Sequence, residues 1–197
     1  EGWPTIQHGE HTLILSPTGS GKTLAAFLWG INEIYREIHE VERRNEHQEA
    51  GVRLLYVSPL KALNNDVERN LRLPLAGIRR VAKEQEAPLP RLSVAVRTGD
   101  TPQSARRRMV KQPPHILITT PESLYLILTS PVARAMFRTV HTIILDEIHT
   151  LVGNKRGVHL ALSLERVVEL AQGPIQRIGL SATQRPLDEV ARFLGGY

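Results

Sequence analysis

Residues 12–23 read TLILSPTGSGKT, and few folds can accommodate them. Thr12–Leu15 is an apolar run with the form of a buried strand. Gly19 and Gly21 permit the tight left-handed turns that most side chains resist. Lys22 and Thr23 then open a stretch, Leu24-Ala25-Ala26-Phe27-Leu28-Trp29, that suits a helix. Strand, glycine turn and helix in this order form a phosphate-binding loop. The N–H groups of Thr18, Gly19, Ser20, Gly21 and Lys22 would surround a triphosphate, aided by the positive end of the helix. The Lys22 ammonium would reach the β/γ-phosphates, and the Thr23 hydroxyl would bind Mg²⁺. Ser16 stands where such loops commonly begin with Gly or Ala.

The rest of the chain repeats the alternation that this loop demands. Further strands are expected at Arg53–Val57, Leu92–Val96, Ile116–Thr119, Thr142–Leu145 and Arg177–Leu180. Helices are expected at Lys22–His39, Ala62–Gln85 with a break near Pro74, Gln103–Lys111, Glu122–Leu128, Val158–Gln172 and Leu187–Leu194. Several strands are continuously apolar, as they are when helices cover both faces of a parallel sheet. In Val158–Gln172, the pattern assigns Ala161, Leu164, Val168 and Ala171 to the core face. Glu40–Gly51 reads as an exposed charged connection. The fold class is α/β: three layers around a mostly parallel sheet, in one domain spanning residues 1–197.

Composition excludes several alternatives. The 197 residues contain no cysteine, which removes disulfides, thiolate metal sites and cysteine nucleophiles and is compatible with a cytoplasmic location. No apolar run is long enough to span a membrane, and Glu1-Gly2-Trp3-Pro4 does not open a signal peptide. A net charge of +5 favours a polyanionic partner mildly. Solvated surface accounts for such an excess equally well.

Asp146 and Glu147 follow the strand Thr142–Leu145, at the edge where open α/β sheets bind ligands. Asp146 is suited to hold Mg²⁺ and Glu147 to orient an attacking water.

The order of glycine-lysine-threonine loop, Asp146-Glu147-Ile148-His149 and Ser181-Ala182-Thr183 resembles the motif set of superfamily-2 DExH helicases. SPLKAL at 58–63, TTPESL at 119–124 and KRG at 155–157 are closest to the large helicase-related (Lhr) group. The resemblance covers essentially the whole chain and implies a first RecA-like motor domain. It implies that ATP and Mg²⁺ are the cofactors and that Gln7, in Pro4-Thr5-Ile6-Gln7, bonds adenine. Lys22, Asp146, Glu147 and His149 would be catalytic. Ser181 and Thr183 would couple nucleotide state to domain movement through His149.

Ser58, Lys61, Thr98, Gly99, Thr119 and Thr120 would hold the phosphates of a single strand without reading bases. DNA is favoured over RNA only by the family likeness. Arg106-Arg107-Arg108 point in different directions on a helix, so surface charge is the preferred reading for them. The resemblance covers one motor domain and so implies a longer helicase whose second domain supplies arginines to the γ-phosphate. Such arginines are worth about 10³–10⁵ in rate. The function implied is half of an ATP-driven 3′-to-5′ translocase. The competing reading is a nucleotide and nucleic-acid binding module without motor action. Intact Lys22, Asp146 and Glu147 argue against it.

Overall fold

The computed structural model describes residues 2–17, 19–182 and 187–195, with residues 2, 3 and 61–65 described by their backbone alone. Six strands form one sheet: β1 (Thr12–Leu15), β2 (Leu54–Val57), β3 (Val94–Arg97), β4 (Ile116–Thr119), β5 (Thr142–Leu145) and β6 (Gln176–Ser181). Their order is β1-β6-β5-β2-β4-β3, and every neighbouring pair is parallel. The expectation of a mostly parallel sheet is therefore met with no antiparallel pair among the described residues.

Helices cover both faces, and strand alternation decides which residues meet which layer. Leu54, Tyr56, Ile116, Ile118 and Ile144 face α1 (Gly2–Gln7), α2 (Lys22–Arg43) and α3 (Lys61–Glu84). Leu55, Val57, Leu117, Ile143 and Leu145 face α5 (Pro121–Leu128) and α6 (Lys155–Leu170), with α7 (Leu187–Gly195). The remaining helix, α4 (Gln103–Lys111), lies at the sheet margin and buries none of its residues.

Three local expectations need correction. Pro74 does not break α3, which runs through it. Proline costs an interior helix about 3 kcal/mol. Here Leu71 is buried, and Val67, Leu75 and Ile78 pack on the same core, so contacts on both sides of Pro74 hold one axis. The core stripe of α6 is Leu160, Ser163, Leu164 and Val167, rather than Ala161, Leu164, Val168 and Ala171. Packing sets this face, since Leu160, Leu164 and Val167 join the buried core with Leu124, Ile127 and Phe137 while Val168 stays exposed. The helix also starts early, where Asn154 accepts from Gly157 N–H at 3.0 Å and caps it. The charged segment after His39 continues α2 to Arg43 before it becomes a connection.

Two buried cations anchor the strands. Arg53 is 2% exposed and pairs with Glu37 at 3.1 Å. Arg177 meets Glu165 at 2.8 Å. Buried charges persist only when so paired. Among the described residues no helix is long and apolar enough to cross a membrane.

Candidate nucleotide and nucleic-acid sites

Because all strands are parallel, their carboxyl ends meet along one edge. That edge divides by strand order. The loops after β1, β6 and β5 occupy one half, and those after β2, β4 and β3 the other.

The first half carries the phosphate loop. Gly19 and Gly21 adopt φ of 82° and 83°, the left-handed region the sequence reading required. Gly21 caps α2, so Lys22 and Thr23 sit at its positive end. Lys22 is buried, and its Nζ lies 3.5 Å from the Pro17 carbonyl. Ser16 N–H donates to the Ser181 carbonyl at 3.2 Å, which ties the loop to β6. A cleft of about 410 Å³ joins Gly21, Lys22 and Thr23 to Asp146 and Glu147. Thr18 and Thr183 lie outside the described residues.

Both oxygens of Asp146 are engaged. Oδ1 accepts from Glu147 N–H at 2.9 Å, and Oδ2 accepts from the Tyr56 hydroxyl in a short hydrogen bond. Tyr56 is fully buried in β2 and stacks on Phe27 of α2, with ring centroids 5.0 Å apart. Burial, first, and the neighbouring Asp146 carboxylate push its hydroxyl pKa upward, so the phenol stays a donor. Glu147 has φ 48° and ψ 37°, a strained conformation for a residue with a side chain. Thr150 holds it there: its N–H and its hydroxyl donate to the Glu147 carbonyl at 2.9 and 2.8 Å.

His149 links the acids to β6. Ala182 N–H donates to its Nδ1 at 3.3 Å, and Ser181 Oγ lies 3.1 Å from the same nitrogen. An Nδ1 that accepts leaves the proton of the neutral ring on Nε2. Nε2 faces Glu147 Oε2 at 3.4 Å. Glu147, His149 and Ser181 thus form a continuous polar chain.

Gln7 does not join this group, and its adenine role is corrected. It is exposed and lines a different cavity, with Trp29, His141, Thr142 and Gln176 at the amino ends of β5 and β6. A β1 of four residues separates that end from the phosphate loop. Local wording could not reveal which end of the strand the helix before it would occupy.

On the second half, Ser58, Thr98, Thr119 and Thr120 gather after β2, β3 and β4, and Gly99 is exposed beside them. Not all of the hydroxyls expected to hold phosphates are exposed. Ser58 and Thr119 are fully buried. Ser58 Oγ accepts from Leu60 N–H at 3.3 Å, and Thr119 donates to the Arg97 carbonyl at 2.7 Å. Thr120 caps α5 by accepting from Ser123 N–H at 3.4 Å, ahead of Pro121. These side chains build the loops, since buried hydroxyls require partners. Lys61 begins α3, and only its backbone is described. Arg106 donates to the carbonyls of Thr101 and Gly99 at 2.7 and 2.6 Å, so it braces this loop, while Arg107 and Arg108 are exposed.

Two residues escaped the sequence reading. Tyr56 looks like any apolar strand residue, and only its β2 neighbour β5 makes it a partner of Asp146. Arg156 reaches Glu122 at 2.5 Å and the Pro59 carbonyl at 2.7 Å. The KRG segment makes it conspicuous in the sequence but does not indicate those partners.

The sequence profile of the DEAD/DEAH box helicases matches residues 1–191. The chain belongs to that family. It is 55% identical over 196 residues to a protein of Mycolicibacterium smegmatis named Lhr helicase/probable uracil glycosylase, covering 100% of this chain and 12% of that one. It is 54% identical over 192 residues to ATP-dependent helicase Lhr-Core protein 2 of Thermococcus barophilus, covering 98% of this chain and 22% of the relative. The chain thus spans only about an eighth to a fifth of these relatives' lengths. In structure it is similar to the M. smegmatis helicase Lhr bound to ssDNA and AMP-PNP, with a TM-score of 0.89 over 99% of this chain and 24% of that one at 55% identity. The DEAD-box helicase Mss116, at 18% identity and a TM-score of 0.71 over 94% of this chain and 35% of that one, shares the fold. The domain is therefore a RecA-like DEAD/DEAH box helicase domain, similar in sequence and structure to that of Lhr helicases.

Proposed function

We propose that this domain is the ATP-binding half of an ATP-dependent 3′-to-5′ single-strand translocase and helicase. The observation that carries the reading is the single cleft in which the Lys22 loop meets Asp146 and Glu147, with Glu147 connected through His149 to Ser181. A motor needs such an arrangement, because a change at the γ-phosphate must be felt elsewhere in the fold.

The donors fit Mg²⁺. Thr23 supplies a hydroxyl and Asp146 a carboxylate, both hard oxygen ligands lining one cleft. No group of three or more His, Cys, Asp or Glu able to hold a metal occurs among the described residues. Mg²⁺ takes few protein ligands where phosphates and water complete its shell. When bound it neutralises phosphate charge. Lys22 places the β/γ-phosphates, and loop N–H groups hold them. Glu147 orients the attacking water, while the Nε2 proton of His149 fixes the direction of its carboxylate. Ser181, and Thr183 by resemblance, pass the state of the site to a second RecA-like domain elsewhere in a longer chain.

Nucleic acid lies across the loops after β2, β4 and β3, bound through backbone groups, Gly99 and Lys61. DNA is the preferred strand because the similar M. smegmatis helicase is bound to ssDNA and AMP-PNP. The decisive test uses the full-length protein on duplexes with a 3′ or a 5′ single-stranded overhang, in DNA and in RNA. ATP-dependent unwinding confined to 3′-overhang DNA is expected. Unwinding from 5′ overhangs refutes the polarity. Strand binding without stimulated hydrolysis favours the module without motor action.

A further inference from the structure

The KRG segment is the one conspicuous motif to which the nucleotide and strand sites give no work. Its glycine has a local explanation. A Cβ at Gly157 would lie 1.9 Å from the Leu151 carbonyl oxygen, so the start of α6 is pressed against the turn that follows His149. Asn154 strengthens the attachment by donating to the Thr150 carbonyl at 2.8 Å. The backbone that carries Arg156 is therefore fixed to the segment that carries Glu147 and His149.

The Arg156 side chain leaves this anchor for the other half of the edge. Nε and Nη2 grip Glu122 at 2.5 and 3.2 Å, a fork-to-carboxylate pairing at the start of α5. Nη2 also donates to the Pro59 carbonyl at 2.7 Å, in the loop after β2. The hydrogen bond from Arg156 holds the Glu122 carboxyl below its ordinary value of 4.5, so the carboxylate is charged throughout the physiological range. Lysine could not replace this fork, because a single ammonium lacks the planar donor set that spans two acceptors.

We propose that Arg156 is a positioning residue that fastens the loop after β2 and the start of α5 to the catalytic turn, so that nucleotide binding and single-strand binding are coupled through it. This rests on the proposed motor reading. Lying between two sites is not itself evidence of coupling, so the test measures coupling directly.

In the full-length protein, single-stranded DNA affinity is measured by fluorescence anisotropy with and without AMP-PNP. The wild type is compared with Arg156→Lys, Arg156→Ala and Glu122→Gln, each across a salt series. The native protein is expected to show a nucleotide-dependent affinity change within the range of about 5- to 150-fold usual for coupled sites. The Arg156 variants reduce that factor toward one, and Glu122→Gln reduces it partly. Their salt dependence stays native, because the guanidinium is spent on protein acceptors. Thermal stabilisation by Mg·ATP also stays native, which a general loss of folding would not allow. An unchanged coupling factor in Arg156→Ala overturns the proposal. So does a salt slope shallower by about 0.7, which would make Arg156 a direct phosphate contact. If the native protein binds strands without any nucleotide dependence, the proposal fails alone. If it binds no strand at all, the motor reading fails with it.

Discussion

The two halves of the carboxyl edge use their polar residues in opposite ways. On the nucleotide half, Lys22, Asp146, Glu147 and His149 are ionisable groups in or beside one cleft, and each is aimed by a second residue. On the half proposed to hold the strand, the hydroxyls of Ser58, Thr119 and Thr120 are spent inside the loops, and Arg106 braces the Gly99 turn. Chemistry on a γ-phosphate needs charge held in place before reaction. A track for any sequence needs only a surface of fixed shape with donors for phosphates. The first half therefore advertises itself through charged residue types, and the second through backbone geometry.

Removing Glu147 function tests the first half most severely. In the full-length protein, Glu147→Gln is expected to lower turnover by about 10²–10⁴-fold, the usual worth of a positioned base, while ATP affinity stays close to native. Steady-state hydrolysis and nucleotide binding read the two effects separately. Native turnover in this variant assigns the water to another residue.

Lys22→Ala acts on binding. Saturating Mg·ATP stabilises the native domain by mass action, by about 2.7 kcal/mol at a hundredfold excess over Kd. The variant is expected to lose most of the corresponding rise in melting temperature without losing its fold. Equal shifts in the two proteins would remove Lys22 from the phosphate site.

Tyr56→Phe sharpens the comparison, because it removes one hydroxyl and leaves the ring against Phe27. A hydrogen bond to a charged group is worth about 1.5–3 kcal/mol. Urea unfolding is expected to show a loss in that range, together with a higher Mg²⁺ requirement for ATP binding. A loss of stability with an unchanged Mg²⁺ requirement would confine Tyr56 to packing.

Protonation gives a smaller effect that belongs to neither half. His141 sits at the amino end of β5, with Nε2 buried 3.6 Å from Glu37. Burial is the main cause that holds its pKa below 6.5, with Arg53 adding to it and Glu37 and Glu33 opposing. The unfolded chain therefore takes up this proton first as pH falls. The His141 contribution is complete above about 6.5 and is lost as pH drops through the folded value. His11 and His115, also held low by burial, act in the same sense. Urea midpoints measured from pH 8 to pH 5 should fall, and less steeply in His141→Gln. Parallel curves would assign the slope to the other histidines.

On the strand half, Lys61→Ala should change least. Loss of one phosphate contact would make the log-affinity against log-salt slope shallower by about 0.7 and weaken unrelated sequences equally. A sequence-dependent loss would indicate base readout, and the distinction between the halves would then be drawn wrongly.

The sequence alone determined the parts whose chemistry is written in residue type and short spacing. The strand–loop–helix at 12–23 requires glycine where φ is positive and lysine at the helix start, and both stand there in the fold. Asp146 and Glu147 could be placed because the phosphate-binding loop requires a carboxylate partner, and this acidic pair follows an apolar strand at the ligand-binding edge. Continuously apolar strands implied two covered faces, which β2, β4 and β5 display residue by residue. The tertiary structure alone decided what depends on strand order. Tyr56 and Asp146 are ninety positions apart and meet because β2 pairs with β5. Gln7 lies at the amino edge because the helix before β1 packs there, which no local wording specifies. Buried hydroxyls and exposed ones are the same residue types, so only packing could separate the Thr119 that braces a loop from a phosphate contact. Arg156 shows the same limit from the other side: three letters made it conspicuous, and its partners, 34 and 97 positions away, gave it a place.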